Sequence, residues 1–287
     1  MKERLLYLDI IRIIACVMIV AMHAPISGLD WNGIVLAADS FLTAPGIGIF
    51  IMVSGALLLP VTISTKEFLK RRLSKVVIPT FVWTILYYLV APWTETVGRG
   101  DGMQSFFSIP FSAQYNGVLW FIYMLIGLYL LAPILSAWLV KASKKEVAFY
   151  LCLWSITMCY PIIRNFISVN ESTTGILYYF GGYAGYFLIG YYLKKYAYRI
   201  TLWKILLLFA VPLGFASVIK LKNISIDFYD LFWYLSIFTA MMSIGCFLII
   251  RQYFPLYNAT SKTHRLIVTI SNCCFGIYLS HIFIMRG

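Results

Sequence analysis

Three ionisable side chains stand in the first apolar stretch of the chain, LDIIRIIACVMIVAMHA from Leu8 to Ala24: Asp9, Arg12 and His23. Charged groups in hydrocarbon are costly, and a span that keeps them usually uses them. Histidine can take or give a proton near neutral pH, its ordinary pKa being about 6.5. On a helix of about 3.6 residues per turn the offset from Arg12 to His23 is almost three whole turns, so the two share one face roughly 16 Å apart. Asp9, one turn before Arg12, is close enough to pair with it and offset part of the cost of its burial. Snorkelling of Asp9 and Arg12 to one headgroup layer and of His23 to the other would account for the ends of the helix. It would not account for the shared face.

Other candidates lie further along. In SNCCFGIYLSHIFIM, Ser271 to Met285, His281 falls about 22 Å up the last span at about 1.5 Å per residue, the depth reached by His23 from the other end of the sequence. One polar pocket and a simple interfacial cap both fit that placement. The segment KEFLKRRLSKVVIP holds Lys66, Lys70, Arg71, Arg72 and Lys75 beside a span end. Such a cluster marks topology and could also hold a phosphate-bearing ligand. Gly46, Gly48, Ser54 and Gly55 are small residues of the second span, suited to close helix packing. Trp120 and Tyr123 fall where an aromatic belt would lie, so belt and substrate contact are both open. The six cysteines show no metal-ligand spacing, and no metal site is expected.

These residues need helices that cross a bilayer to hold them. The chain has 287 residues, 61% hydrophobic and only 12% charged, with a mean hydropathy of +0.84, far from soluble averages. Windows long enough to cross hydrocarbon run Leu6–Pro25, Phe41–Pro60, Val76–Trp93, Val118–Val140, Val147–Ile163, Ile176–Leu193, Leu202–Ile219, Leu231–Ile250 and Leu266–Met285. The expected fold is therefore an all-α, polytopic membrane protein of about nine transmembrane helices. Residues 1–287 contain no repeat and no linker long enough to separate domains, so a single membrane domain is expected. The outer loop Thr94–Gly117 is turn-rich and could fold over a site.

The net charge of +12 does not argue for nucleic acid. With the N-terminus in the cytoplasm, Lys2, Arg4, Lys70, Arg71, Arg72, Lys75, Lys144, Lys145, Lys194, Lys195, Lys262 and Arg265 are among the cations that fall inside, against only Arg99, Arg164, Lys220, Lys222 and Arg286 outside, and Asp30, Asp101, Glu171 and Asp227 fall outside. That is the positive-inside pattern. The basic excess reports topology, and no nucleic-acid partner is expected.

The motifs together resemble the membrane acyltransferase 3 family, and within it the branch of surface-polysaccharide O-acetyltransferases. The resemblance is carried by Arg12 and His23 with Asp9 upstream, by Phe50 with Ser54 and Gly55, by RRLSKVVIP, by WFIYMLIGLYLLAP and by FGIYLSH. It implies a cell (plasma) membrane enzyme that moves an acyl group, commonly acetyl, from cytoplasmic acyl-CoA to a hydroxyl of an extracytoplasmic glycan. On this reading Arg71, Arg72 and Lys75 would hold the phosphates of CoA and Arg12 would line the path. His23 would take the hydroxyl proton, with Asp9 beside Arg12, and Ser54, Trp120 and His281 would meet the substrate. Two departures stand out. The family's Arg-x-x-Arg is here Arg72 and Lys75, and lysine lacks the planar fork. The resemblance also implies a tenth span after FGIYLSH, so the chain, ending at Gly287, is expected to be truncated at its C-terminus.

Two other classes also place charges in many-span proteins. A transporter would gather them at the midplane on broken helices of related halves, and no such halves are visible. A non-catalytic partner in polysaccharide export would need none of Asp9, Arg12 and His23.

Overall fold

A computed structural model describes residues 4–24, 39, 41–90, 119–167, 180–196, 199–224, 226, 231–254 and 262–286. The loop Thr94–Gly117 lies outside the described residues, as do Asp30, Glu171 and Asp227. Among the described residues there is no strand. The helices are α1 (Leu6–Met22), α2 (Pro45–Leu58), α3 (Thr65–Val90), α4 (Trp120–Leu139), α5 (Lys144–Thr157), the single turn α6 (Tyr160–Ile163), α7 (Ala184–Tyr196), α8 (Leu202–Leu221), α9 (Ile237–Tyr253) and α10 (Lys262–Arg286). Every expected window thus carries a helix. Among the described residues five spans have the length and apolarity to cross a membrane: Phe41–Leu58, Trp120–Leu139, Lys144–Ile163, Leu202–Leu221 and Lys262–Met285, with Ile237–Tyr253 a shorter apolar helix. The all-α, polytopic architecture follows.

Helix boundaries differ from the hydropathy windows where local chemistry overrides composition. Helix α3 begins at Thr65, well before Val76, because its basic segment is itself helical and is continuous with the apolar part. Helix α5 starts on a capping box: Ser143 Oγ accepts from the Glu146 N–H at 3.2 Å and the Glu146 carboxylate accepts from the Ser143 N–H at 2.7 Å, satisfying two orphan donors at once. Helix α9 starts six residues after the window Leu231–Ile250 opens, because Ser236 caps it. The Ser236 hydroxyl donates to the Leu231 carbonyl at 2.6 Å and accepts from the Phe238 N–H at 3.3 Å.

The chain divides into two compact units. The first comprises Met1–Leu57 and Ser143–Cys274, the second Leu58–Ala142 and Phe275–Gly287. Within the first, α2 and α7 approach each other through reciprocal glycines. A Cβ on Gly55 would collide with the carbonyl oxygen of Phe187, and one on Gly190 with the carbonyl oxygen of Met52. Apolar side chains give no driving force between helices in lipid, so close backbone contact of this kind is what holds such a pair. Gly46 meets α1 in the same way, where a Cβ would stand 2.9 Å from the Met18 Cβ. Packing is therefore the role of these glycines.

The first unit also fixes the orientation of α1. Leu8, Ile11, Ala15 and Ile19 recur at helical spacing and are all buried, whereas Val17 on the other side is 62% exposed. In the second unit Tyr87 on α3 joins α10: its hydroxyl donates to the Leu279 carbonyl and accepts from the Phe283 N–H, each at 3.0 Å. Trp83, Tyr87 and Phe283 form an edge-to-face cluster around that bond.

Candidate active site

The polar centre of the first unit is built at the start of α1. Asp9 lies in the first turn, where the positive end of the helix dipole favours a carboxylate, and only 4% of the residue is exposed. Arg4, just before the helix, folds back onto it as a fork: Nε donates to Asp9 Oδ2 and Nη2 to Asp9 Oδ1, both at 2.8 Å. Bidentate arginine–carboxylate pairs are the strong, geometrically specific kind. Arg4 Nη2 also donates to Asn272 Oδ1 at 3.0 Å.

Arg12 is held from another direction. Its Nη1 donates to the hydroxyl of Ser271 on α10 at 3.0 Å, and that hydroxyl donates its own proton to Asp9 Oδ1 at 2.7 Å. The direct Arg12–Asp9 separation is 3.8 Å. The expected pairing of Asp9 with Arg12 is therefore present as a loose ion pair, while the tight partner of Asp9 is Arg4 and a serine hydroxyl bridges the two expected residues. Two guanidiniums thus share one carboxylate. Asp9 can hold them only because its two oxygens accept from three groups, which offsets the cost of removing the charge from water. One turn further, the Cys16 thiol donates to the Cys274 carbonyl at 3.6 Å, so α1 and α10 stay in register beyond the charges.

His23 stands at the other end of the same helix, as its C-terminal cap. Its Nδ1 lies 2.8 Å from the Ile19 carbonyl oxygen. A carbonyl only accepts, so the proton of this bond sits on Nδ1. The neighbouring Met22 Sδ accepts from the Tyr234 hydroxyl at 3.1 Å, which ties the end of α1 to the turn before α9. Arg12 and His23 thus lie on one continuous helix, as their spacing requires.

The other expected site residues are placed as follows. Ser54 donates to the Phe50 carbonyl of its own helix at 3.1 Å. Arg71, Arg72 and Lys75 lie together on the exposed first half of α3, and Arg71 pairs with Glu67 one turn earlier. Trp120 opens α4 with its ring edge-to-face against Phe121 at 6.3 Å. His281 belongs to the second unit. It is 4% exposed, its Nδ1 donates to the Tyr278 carbonyl at 2.6 Å, and its ring lies 5.5 Å from that of Tyr278. Among the described residues no group of histidine, cysteine and carboxylate side chains could hold a metal.

Arg4, Ser271 and Asn272 are the participants that reading the sequence did not single out. Arg4 reads as one more topology cation. The only available signal for Ser271 and Asn272 is that two polar residues interrupt an apolar span just before CCFG.

Residues 5–287 match the acyltransferase domain family known as acyltransferase 3. No curated protein and no solved structure matches the chain. The family match takes in the Asp9–Arg12–Ser271 centre, His23 and all ten helices described above. This multi-helix membrane protein therefore belongs to the acyltransferase 3 family, and it is a membrane acyltransferase.

Proposed function

We propose that the protein is a transmembrane O-acyltransferase of the surface-polysaccharide branch, moving an acyl group, in the first instance acetyl, from cytoplasmic acyl-CoA to a hydroxyl of a cell-surface polysaccharide or lipid-linked glycan. The N-terminus lies in the cytoplasm of a cell whose plasma membrane holds the chain. Donor and acceptor then approach from opposite sides, and α1 carries a fixed cation toward one side and a base toward the other.

The observation that carries this reading is the state of the two ends of α1. Arg12 is held by Ser271 and Asp9, and the ring of His23 is oriented by the bond from Nδ1 to the Ile19 carbonyl. In the reaction, Nε2 takes the proton of the acceptor hydroxyl as its oxygen attacks the thioester carbonyl. The carbon–sulfur bond breaks, and the leaving thiolate of CoA is reprotonated. General-base catalysis of this kind suits an imidazole at neutral pH. Arg12 positions the donor below His23. Arg71, Arg72 and Lys75 supply cations for the donor phosphates, and Ser54, Trp120 and His281 are assigned to substrate contact.

The test is consumption of acyl-CoA thioester by membranes carrying the wild-type chain, His23→Ala, Arg12→Ala or Asp9→Ala. A positioned general base typically contributes about 10²- to 10⁴-fold, so His23→Ala should lose at least the lower figure while donor binding persists. Arg12→Ala should lose donor affinity as well as rate. Near-normal transfer by correctly inserted His23→Ala would make the histidine an interfacial anchor and remove the proposed chemistry.

A further inference from the structure

We infer that Ser271 is a positioning residue for the acyl-transfer site, acting as a spacer that keeps Arg12 from closing onto Asp9. The inference rests on the donor-positioning role proposed for Arg12. Its basis is the order of the hydrogen bonds. The Ser271 hydroxyl has one proton and spends it on Asp9 Oδ1 at 2.7 Å, and its oxygen then accepts from Arg12 Nη1 at 3.0 Å. Because the hydroxyl sits between them, the guanidinium and carboxylate stand 3.8 Å apart. An uninterrupted charge-assisted pair would close to about 2.7–2.9 Å.

Arg4 makes this arrangement stable. Its fork takes both oxygens of Asp9 at 2.8 Å, so the carboxylate is already compensated without Arg12. Ser271 is only 2% exposed, so breaking either bond would leave a buried polar atom unsatisfied. Two consequences follow. Asp9 keeps its closest ion pair with Arg4 while Arg12 stands at 3.8 Å. The orientation of Arg12 is set from α10, a helix that joins the site from the far end of the sequence. A serine does this where alanine cannot, because the position needs one donor and one acceptor at a single atom.

Removing the hydroxyl should let Arg12 collapse toward Asp9. Steady-state transfer by membranes carrying Ser271→Ala should show the donor KM raised about tenfold, the acceptor KM unchanged and kcat changed less than the donor KM. Ser271→Thr should restore the donor KM, because the hydroxyl is retained. In an Arg12→Ala background, Ser271→Ala should add nothing, since a positioning residue acts only through its target. Wild-type donor KM in an inserted Ser271→Ala protein overturns the inference, as does a Ser271→Thr variant as impaired as Ser271→Ala, or an added loss in the Arg12→Ala background. If Arg12→Ala itself transfers normally, the donor reading fails first. If Arg12→Ala is impaired and Ser271→Ala is not, only the spacer fails.

Discussion

Two clusters of cations in the protein, one at the start of α1 and one on the first half of α3, are held in opposite ways. At the start of α1, Arg4 and Arg12 converge on a buried carboxylate with a serine hydroxyl and an amide drawn from α10. On the first half of α3, Arg71, Arg72 and Lys75 are exposed, and the ion pair there is a local one between Arg71 and Glu67 in adjacent turns. The first arrangement has to answer a desolvation cost, so each charge is bonded to a particular partner. The second is solvated, so its charges need no partner of fixed geometry and are worth little to stability. A buried carboxylate therefore draws its partners from parts of the chain remote in sequence, while the exposed cations of α3 pair only with a neighbouring turn.

The largest expected effect breaks the first cluster at its centre. Asp9→Ala leaves two guanidiniums and a buried hydroxyl without their common acceptor, and removing one partner of a buried charged set costs about 3–5 kcal/mol. The midpoint of thermal unfolding in detergent should fall accordingly, and Asp9→Asn should recover part of the loss by keeping acceptors. If Asp9→Ala proved no more costly than Arg71→Ala, the contrast between the two clusters would be wrong.

A smaller effect sharpens the contrast between like residues. Arg4→Ala removes a bidentate pair whose arginine side chain is 43% exposed, so about 1–2 kcal/mol is expected after allowing for solvent. Arg71→Ala removes an exposed pair within one helix, for which about 0.5 kcal/mol or less is expected. The same unfolding measurement ranks them.

The smallest effect on stability belongs to Arg72→Ala with Lys75→Ala, which should leave unfolding within about 0.5 kcal/mol of wild type. Its signature is functional and salt-dependent. The donor KM should rise several-fold at low salt. Raising ionic strength toward 1 M, where screening shortens to about 3 Å, should weaken donor affinity more in the wild type than in the double variant, which keeps Arg71. An equal salt response in both would show that the α3 cations serve topology alone.

Much of this is legible in the sequence. The nine hydropathy windows each carry a helix, and α1 runs from the Asp9–Arg12 turn to its His23 cap. The glycines of α2 read as packing residues, and Gly55 does pack against the α7 backbone. What escaped is just as specific. Asp9 was expected to pair with Arg12 because helical spacing makes them neighbours, yet Arg4, which lies outside the helix and obeys no helical spacing, forms the closer bond. The start of α9 also escaped, because hydropathy does not register that Ser236 caps the helix within an apolar window.

The sequence by itself determined the all-helical, many-span character of the chain and the buried stripe Leu8, Ile11, Ala15 and Ile19 of α1. Hydrocarbon requires long apolar segments with internally satisfied backbones, and a helix has one period. Only the tertiary structure decided that Ser271 and Asn272 complete the charge cluster and that Gly190 meets Met52. Nothing in an apolar span encodes which distant helix it will touch, since lipid tails and leucines are nearly equivalent surroundings. The choice among neighbours is made by close packing and by the few polar groups that must find one another.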